Sequence, residues 1–197
     1  MQSVEWVIRP FQHGLGCLAM EVRSMSAVVA PTARTEDLPK RILRGAIGGV
    51  VAGGAFIAAT MWFASSLGDP ADAPLMMIAT LVQGEAAMEA GTASPALGLL
   101  VHALLSAAFG VVFALIAPRF GTNGTVALAG TIYGALLYVV NFLVIAPLAF
   151  PIFEMANQPF ELVVHVLFGT LLSLAFFGSD VRRGEGVVAT SRRVSTA

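Results

Sequence analysis

The 197 residues are 57% hydrophobic and only 12% charged, with a mean hydropathy of +0.82, far more apolar surface than one soluble core of this length can bury. The formal net charge of -1, with the basic residues gathered at the two ends and in one short loop, speaks for orientation in a membrane and against a nucleic-acid surface. The single cysteine, Cys17, excludes an internal disulfide.

Residues 1–40 read as a mobile cytoplasmic leader. Val4 to Met20 is weakly apolar, is broken by Arg9, Pro10 and His13, and follows no basic start, since the first charged residue is Glu5. A cleaved signal needs the opposite on each count. Met20 and Met25 are alternative starts, so residues 1–24 are either a tail or an over-extended beginning. Residues 26–39 form an ordinary polar lead-in to a span.

Four segments then reach the length of about 20 mainly apolar residues that about 30 Å of hydrocarbon demands. They lie at about 42–67, 95–117, 126–150 and 160–178, and Glu161, at the mouth of the last, is their only acidic residue. Helices are the physical choice, because each satisfies its own backbone in lipid and the sequence lacks the alternation of barrel strands. Lys40 and Arg41 precede the first span and Arg44 lies in its first turn, Arg119 joins the second to the third, and Arg182, Arg183, Arg192 and Arg193 follow the fourth. The loops 68–94 and 151–159 carry Asp69, Asp72, Glu85, Glu89 and Glu154 with no Lys or Arg. By the positive-inside rule both termini are cytoplasmic and the acidic loops lie outside. The expected fold is therefore all-α, a polytopic four-transmembrane-helix bundle over 41–179, with a cytoplasmic basic tail over 180–197, in a bacterial inner membrane.

In the first outer loop, Leu75 to Glu89 is apolar and then acidic, too short in its apolar part to span. Asp72 and Pro74 suit a helix start, so the stretch reads as a short interfacial or re-entrant helix. The competing fifth span would put the arginine-rich tail outside, against the charge rule. Gly45, Gly49 and Gly53 recur every four residues in the first span, and Gly130 and Gly134 do so in the third; small residues of this kind let membrane helices approach closely.

Span two reads VHALLSAAFG from Val101 and span four reads VHVLFGTLLS from Val164. Each places a histidine near its outer end with small residues four and eight positions later, Ser106 and Gly110 in one and Gly169 and Ser173 in the other. A helix pair used twice accounts for the echo, since an even number of spans preserves orientation. At 1.5 Å per residue His102 and His165 lie roughly 7 to 10 Å into the outer leaflet. Asn141 and Thr60 reach a similar level, and Glu161 stands one turn from His165. Intramembrane ionisable groups face bundle interiors and mark function. This outer-leaflet cluster of His102, His165, Glu161, Asn141 and Thr60 is thus the candidate site.

Three roles remain open for the cluster. Neutral histidines can hydrogen-bond Asn141, Thr60 or backbone groups and cement the bundle; they can also make a proton-responsive or small-solute site. Alternatively they bind a cofactor: His102 and His165 as axial ligands of a b-type haem with Gly98 and Gly169 giving room, which would make the chain an electron-transfer or accessory subunit of a membrane complex, or both with Glu161 as a two-histidine, one-carboxylate metal site. No Walker loop, HExxH, GxSxG or dinucleotide fingerprint is present, so an enzyme is not expected. Asn123-Gly124-Thr125 matches a glycosylation sequon but lies in the cytoplasmic loop. The partners implied are the lipid bilayer and either further copies of the chain or a larger membrane complex, with no nucleic acid.

His102-x-x-x-Ser106-x-x-Phe109, the Leu128-Ala129-Gly130 opening of the third span, its Pro147 and Pro151 exit, and Glu161-x-x-x-His165 resemble the YagU-type family of small bacterial inner-membrane proteins over residues 95–183. That resemblance implies four spans and a link to acid tolerance. The long leader and the acidic, methionine-rich first outer loop depart from the family pattern.

Overall fold

A computed structural model describes residues 37–178. The expectations for the leader, Cys17 included, and for the basic tail fall outside the described residues. Among the described residues the regular secondary structure is all helical, without strands.

Helix α1, Leu38–Ser66, opens with Pro39 in its first turn, where the missing N–H is not needed. It ends at Leu67, whose N–H turns back to Phe63 and Ala64 before Gly68 at φ 89 reverses the chain. The first acidic loop folds into α2, Ala73–Gln83, and α3, Glu85–Glu89. The expected single helix is thus two, because Gly84 breaks it at φ 78. Asp72 stands at the N-terminus of α2 as expected but makes no capping bond with its side chain.

Helix α4, Pro95–Ile116, is capped by the Ser94 hydroxyl on the N–H of Leu97. A 3-10 turn at Ala117–Arg119 leads to α5, Asn123–Tyr138, whose Thr122 and Thr125 bond each other reciprocally in a capping box. This box starts the third span three residues earlier than the apolar run alone indicates. The span then leaves α geometry: Val139–Ile145 is π-helical before the short α6, Ala146–Ala149. Pro147 is the physical cause, since its ring would strike the carbonyl four residues back and a wider turn relieves that clash. A 3-10 turn, Pro151–Met155, and an Asn157 cap on Phe160 N–H introduce α7, Gln158–Leu174.

Three helical stretches, Leu38–Ser66, Pro95–Arg119 and Asn123–Ala149, are long and apolar enough to cross a membrane. Helix α7 is shorter, at 17 residues, but lies packed against both α1 and α5. Small residues set the packing. A Cβ on Gly49 would strike the Ser106 carbonyl, and one on Gly45 or Gly110 the carbonyl of the other. In the second pair, a Cβ on Gly130 would strike Gly169, and one on Gly134 the His165 carbonyl. The echo read from spans two and four is therefore also an echo of contacts. Gly49 and Gly53 receive Ser106 and Gly110 as Gly130 and Gly134 receive Gly169 and Ser173.

The surface is inverted relative to a water-soluble bundle. Val51, Leu104, Leu128 and Val163, one from each long helix, are 61% exposed or more, and each would cost about 1.5–3 kcal/mol to leave in water. The interior holds glycine, serine and a compact aromatic knot instead. Phe113, Val126, Phe168, Leu172 and Phe176 form the buried core, with the Phe113 and Phe176 rings 5.6 Å apart. That core fills the end of the bundle near Arg119. Towards the acidic loops the interior is not filled.

Candidate functional site

A cavity of about 730 Å³ occupies the acidic-loop half, lined by all four long helices, the π segment and α2. The two tightly packed pairs are α1 with α4 and α5 with α7, whereas α4 and α5 are not among the closely packed pairs. Tyr133 of α5 bridges them, its hydroxyl donating to the Phe109 carbonyl at 2.9 Å and its ring 5.3 Å from Phe113. Beyond that bridge the helices stay apart, and the cavity opens there.

All five residues of the expected cluster line this cavity, and each is held differently. Thr60 is buried and its hydroxyl donates to Ile57 of its own helix at 3.0 Å. His102 Nε2 lies 2.9 Å from the Gly53 carbonyl of α1. His165 Nδ1 lies 2.7 Å from the Glu161 carbonyl one turn back. Because a carbonyl only accepts, each of these ring nitrogens carries its proton. The histidines are thus fixed by backbone groups and not by Asn141 or Thr60. Asn141 sits in the π segment, where the N–H of Ala146 reaches back to its carbonyl across the wider turn. Its side chain is half-buried at the wall.

Glu161 Oε2 is 3.8 Å from His165 Nδ1, and both side chains are largely buried. No group of three His, Cys, Asp or Glu side chains able to hold a metal occurs among the described residues, so the two-histidine, one-carboxylate arrangement is not assembled. The haem geometry fails for a separate reason. Phe56 packs against both imidazoles, with ring centroids 5.4 Å from His102 and 4.9 Å from His165. The room expected at Gly98 and Gly169 is taken by other helices: the Leu75 carbonyl of α2 covers Gly98, and Gly130 and Gly134 cover Gly169. A macrocycle between the two histidines would have to displace Phe56.

Phe56, Tyr133, Ser106 and Phe142 belong to the site although the sequence reading did not single them out for it. Phe142 stacks on Tyr138, at 5.7 Å, and meets His165 edge-on at 5.3 Å. Their signal is weak in a sequence where nearly every helix face is apolar. Ser106 is legible in the sequence as a small packing residue and as part of the His102-x-x-x-Ser106 motif, and its Oγ is 3.4 Å from His102 Nε2. That nitrogen already directs its proton at Gly53, so it is no base for the Ser106 hydroxyl.

The cavity is capped at the acidic end. Leu81, Ile78, Met77 and Pro74 of α2 lie over it with Phe150, Phe153 and Ala156 of the second acidic loop. Glu85 joins the two loops by accepting the Ile152 N–H at 3.0 Å. Gln158 closes the corner, donating to the Phe153 and Ala156 carbonyls and accepting from the Tyr138 hydroxyl, all at 3.2 Å.

Long apolar helices, lipid-suited outer faces and glycine-packed pairs around a largely apolar cavity define a polytopic helical membrane protein. Compared with protein-family models, curated proteins and solved structures, the chain matches none. The resemblance to the YagU-type family thus rests on the short motifs quoted above.

Proposed function

We propose that this protein is a four-span, non-enzymatic protein of a bacterial inner membrane that binds a small, mainly apolar molecule in the cavity between its two helix pairs. The observation that carries the reading is the cavity itself. A pocket of about 730 Å³ with apolar walls and a few convergent polar groups has the size and make-up of small-molecule sites generally. Helix α7 counts as the fourth span because it runs alongside two membrane-length helices and is continued by turns to Gly178. The cytoplasmic assignment of both termini rests on Lys40, Arg41, Arg44 and Arg119 at one end of the bundle and the acidic loops at the other.

Native mass spectrometry of the chain, released from its own membranes in mild detergent, tests the binding. Wild type is expected to carry a discrete small-molecule adduct, and Ile78→Trp, which places an indole in the cavity wall, is expected to lose it. A bare wild-type chain, or an adduct indifferent to Ile78→Trp, would count against the proposal.

A proton-responsive role is the second reading, favoured by the 3.8 Å approach of His165 Nδ1 to Glu161 Oε2 and by the YagU-type resemblance. Cells relying on Glu161→Gln should then survive low pH less well than wild type. Equal survival removes this reading and leaves the binding proposal standing.

A further inference from the structure

The polar groups of the cavity divide unevenly into donors and acceptors. The Tyr133 hydroxyl donates to Phe109 and the Thr60 hydroxyl to Ile57. The His102 and His165 N–H groups are directed at the Gly53 and Glu161 carbonyls. What remains unbound on the imidazoles is one lone-pair nitrogen each, Nδ1 of His102 and Nε2 of His165. Neither is sealed away: among the described residues Arg41 Nε is the one buried side-chain polar atom without a partner. Glu161 and Asn141, each with a side-chain carbonyl or carboxyl oxygen, line the same space. The Asn141 amide, the Ser106 hydroxyl and the Glu161 carboxyl when protonated are the remaining donors at the wall. The wall is therefore rich in acceptors, and it complements a ligand that donates.

The way in is set by the helices. The cap formed by α2, Glu85 and Gln158 covers the end towards the acidic loops, and the Phe113–Phe176 core fills the other end. Leu105 of α4, with Leu136, Val140 and Ile145 of α5 and its π extension, line the cavity and are nevertheless 40–55% exposed. They flank the gap that Tyr133 leaves open between α4 and α5. Such a mouth faces hydrocarbon, and the mean apolarity of its rim suits a tail that remains in lipid.

Resting on the binding role proposed above, we infer that the occupant is a lipid-soluble alcohol or phenol. It enters sideways between α4 and α5 and gives its hydroxyl proton to the free nitrogen of His102 or His165. A neutral head fits better than an ion, because moving a charge into this apolar space costs several kcal/mol unless it is paired, and Glu161, the one carboxyl at the wall, is already set against His165, its Oε2 3.8 Å from Nδ1.

Hexadecanol, its methyl ether and hexadecylamine are the probes, offered to the full chain in nanodiscs depleted of co-purified ligand. The alcohol is expected to bind about tenfold tighter than the ether, the effect of one added hydrogen bond. In 15N-histidine spectra, the lone-pair nitrogen resonance of His102 or His165 should shift on adding the alcohol and stay in place with the ether. The spectrum uses wild-type protein, so it does not depend on the folding of a variant. His102→Phe and His165→Phe, where they fold, should bring alcohol and ether within about twofold of each other. Equal binding of alcohol and ether, no histidine shift, or preference for the amine would each overturn the inference. A natural adduct that lacks a hydroxyl would overturn it too, while leaving the binding role intact.

Discussion

Gly110 and Gly54 show what single positions do in this bundle. A Cβ at Gly110 would meet the Gly45 carbonyl of the facing helix, whereas one at Gly54 meets nothing within 4 Å. Gly110→Ala should therefore push α1 and α4 apart and cost about 1–3 kcal/mol, as overpacking does. Gly54→Ala should be neutral or stabilising by up to about 1 kcal/mol through helix propensity. Thermal unfolding in mild detergent checks the pair, and a larger loss for Gly54→Ala would contradict the packing described. Tyr133→Phe removes the bridge to Phe109 and should cost about 0.5–1.5 kcal/mol while loosening the mouth of the cavity. The same melts measure it. Glycine spacing was legible in the sequence because close approach between membrane helices has few chemical solutions. The helical rise puts His102 and His165 at one level of their helices, and both line one cavity. The roles of Phe56 and Tyr133 were not legible, since an aromatic residue on a helix that is apolar all round does not reveal whether it faces lipid or neighbours.

At the scale of elements, the four long helices were readable to within a few residues, three of them of membrane-spanning length, and the errors have local causes. The Thr122–Thr125 box and the Asn157 cap begin α5 and α7 earlier than hydropathy does. Gly84 divides the outer-loop stretch because its φ of 78 suits glycine. The π segment is not legible in the sequence because hydropathy carries no information on hydrogen-bond register; Pro147 marks only an exit there. The wider turn aims Asn141 at the cavity. Pro147→Ala, which removes the ring that calls for the wider turn, should restore α geometry and turn the Asn141 carboxamide aside. The chain should still fold, and affinity for the co-purified molecule should drop about tenfold, one hydrogen bond's worth. Unchanged affinity in a binding titration would mean that Asn141 does not touch the ligand.

For the whole molecule, the echo between spans two and four extends to their partners. Gly49, Gly53 and Thr60 in α1 precede Gly130, Gly134 and Asn141 in the third span at one constant offset. Two helix pairs of one design face each other across the cavity, and their differences supply its polarity: Thr60 opposite Asn141, and a His102 bonded across helices opposite a His165 bonded within its own. The proposed orientation predicts that cysteines at Gly91 and Glu154, in a Cys17→Ser background, react in intact cells with a membrane-impermeant maleimide. One at Thr122 should react only after permeabilisation. Reaction of Thr122→Cys from outside would reverse the topology.

The claim on which the rest depends is that the gap between α4 and α5 admits a particular molecule from the lipid. Photocrosslinking in intact cells tests it, with benzoylphenylalanine placed at Leu136 beside the gap or at Val163 on an exposed face of α7 outside the cavity. One dominant adduct of discrete mass is expected at Leu136 and a mixture of bulk phospholipids at Val163. The same phospholipid mixture at both positions would contradict it.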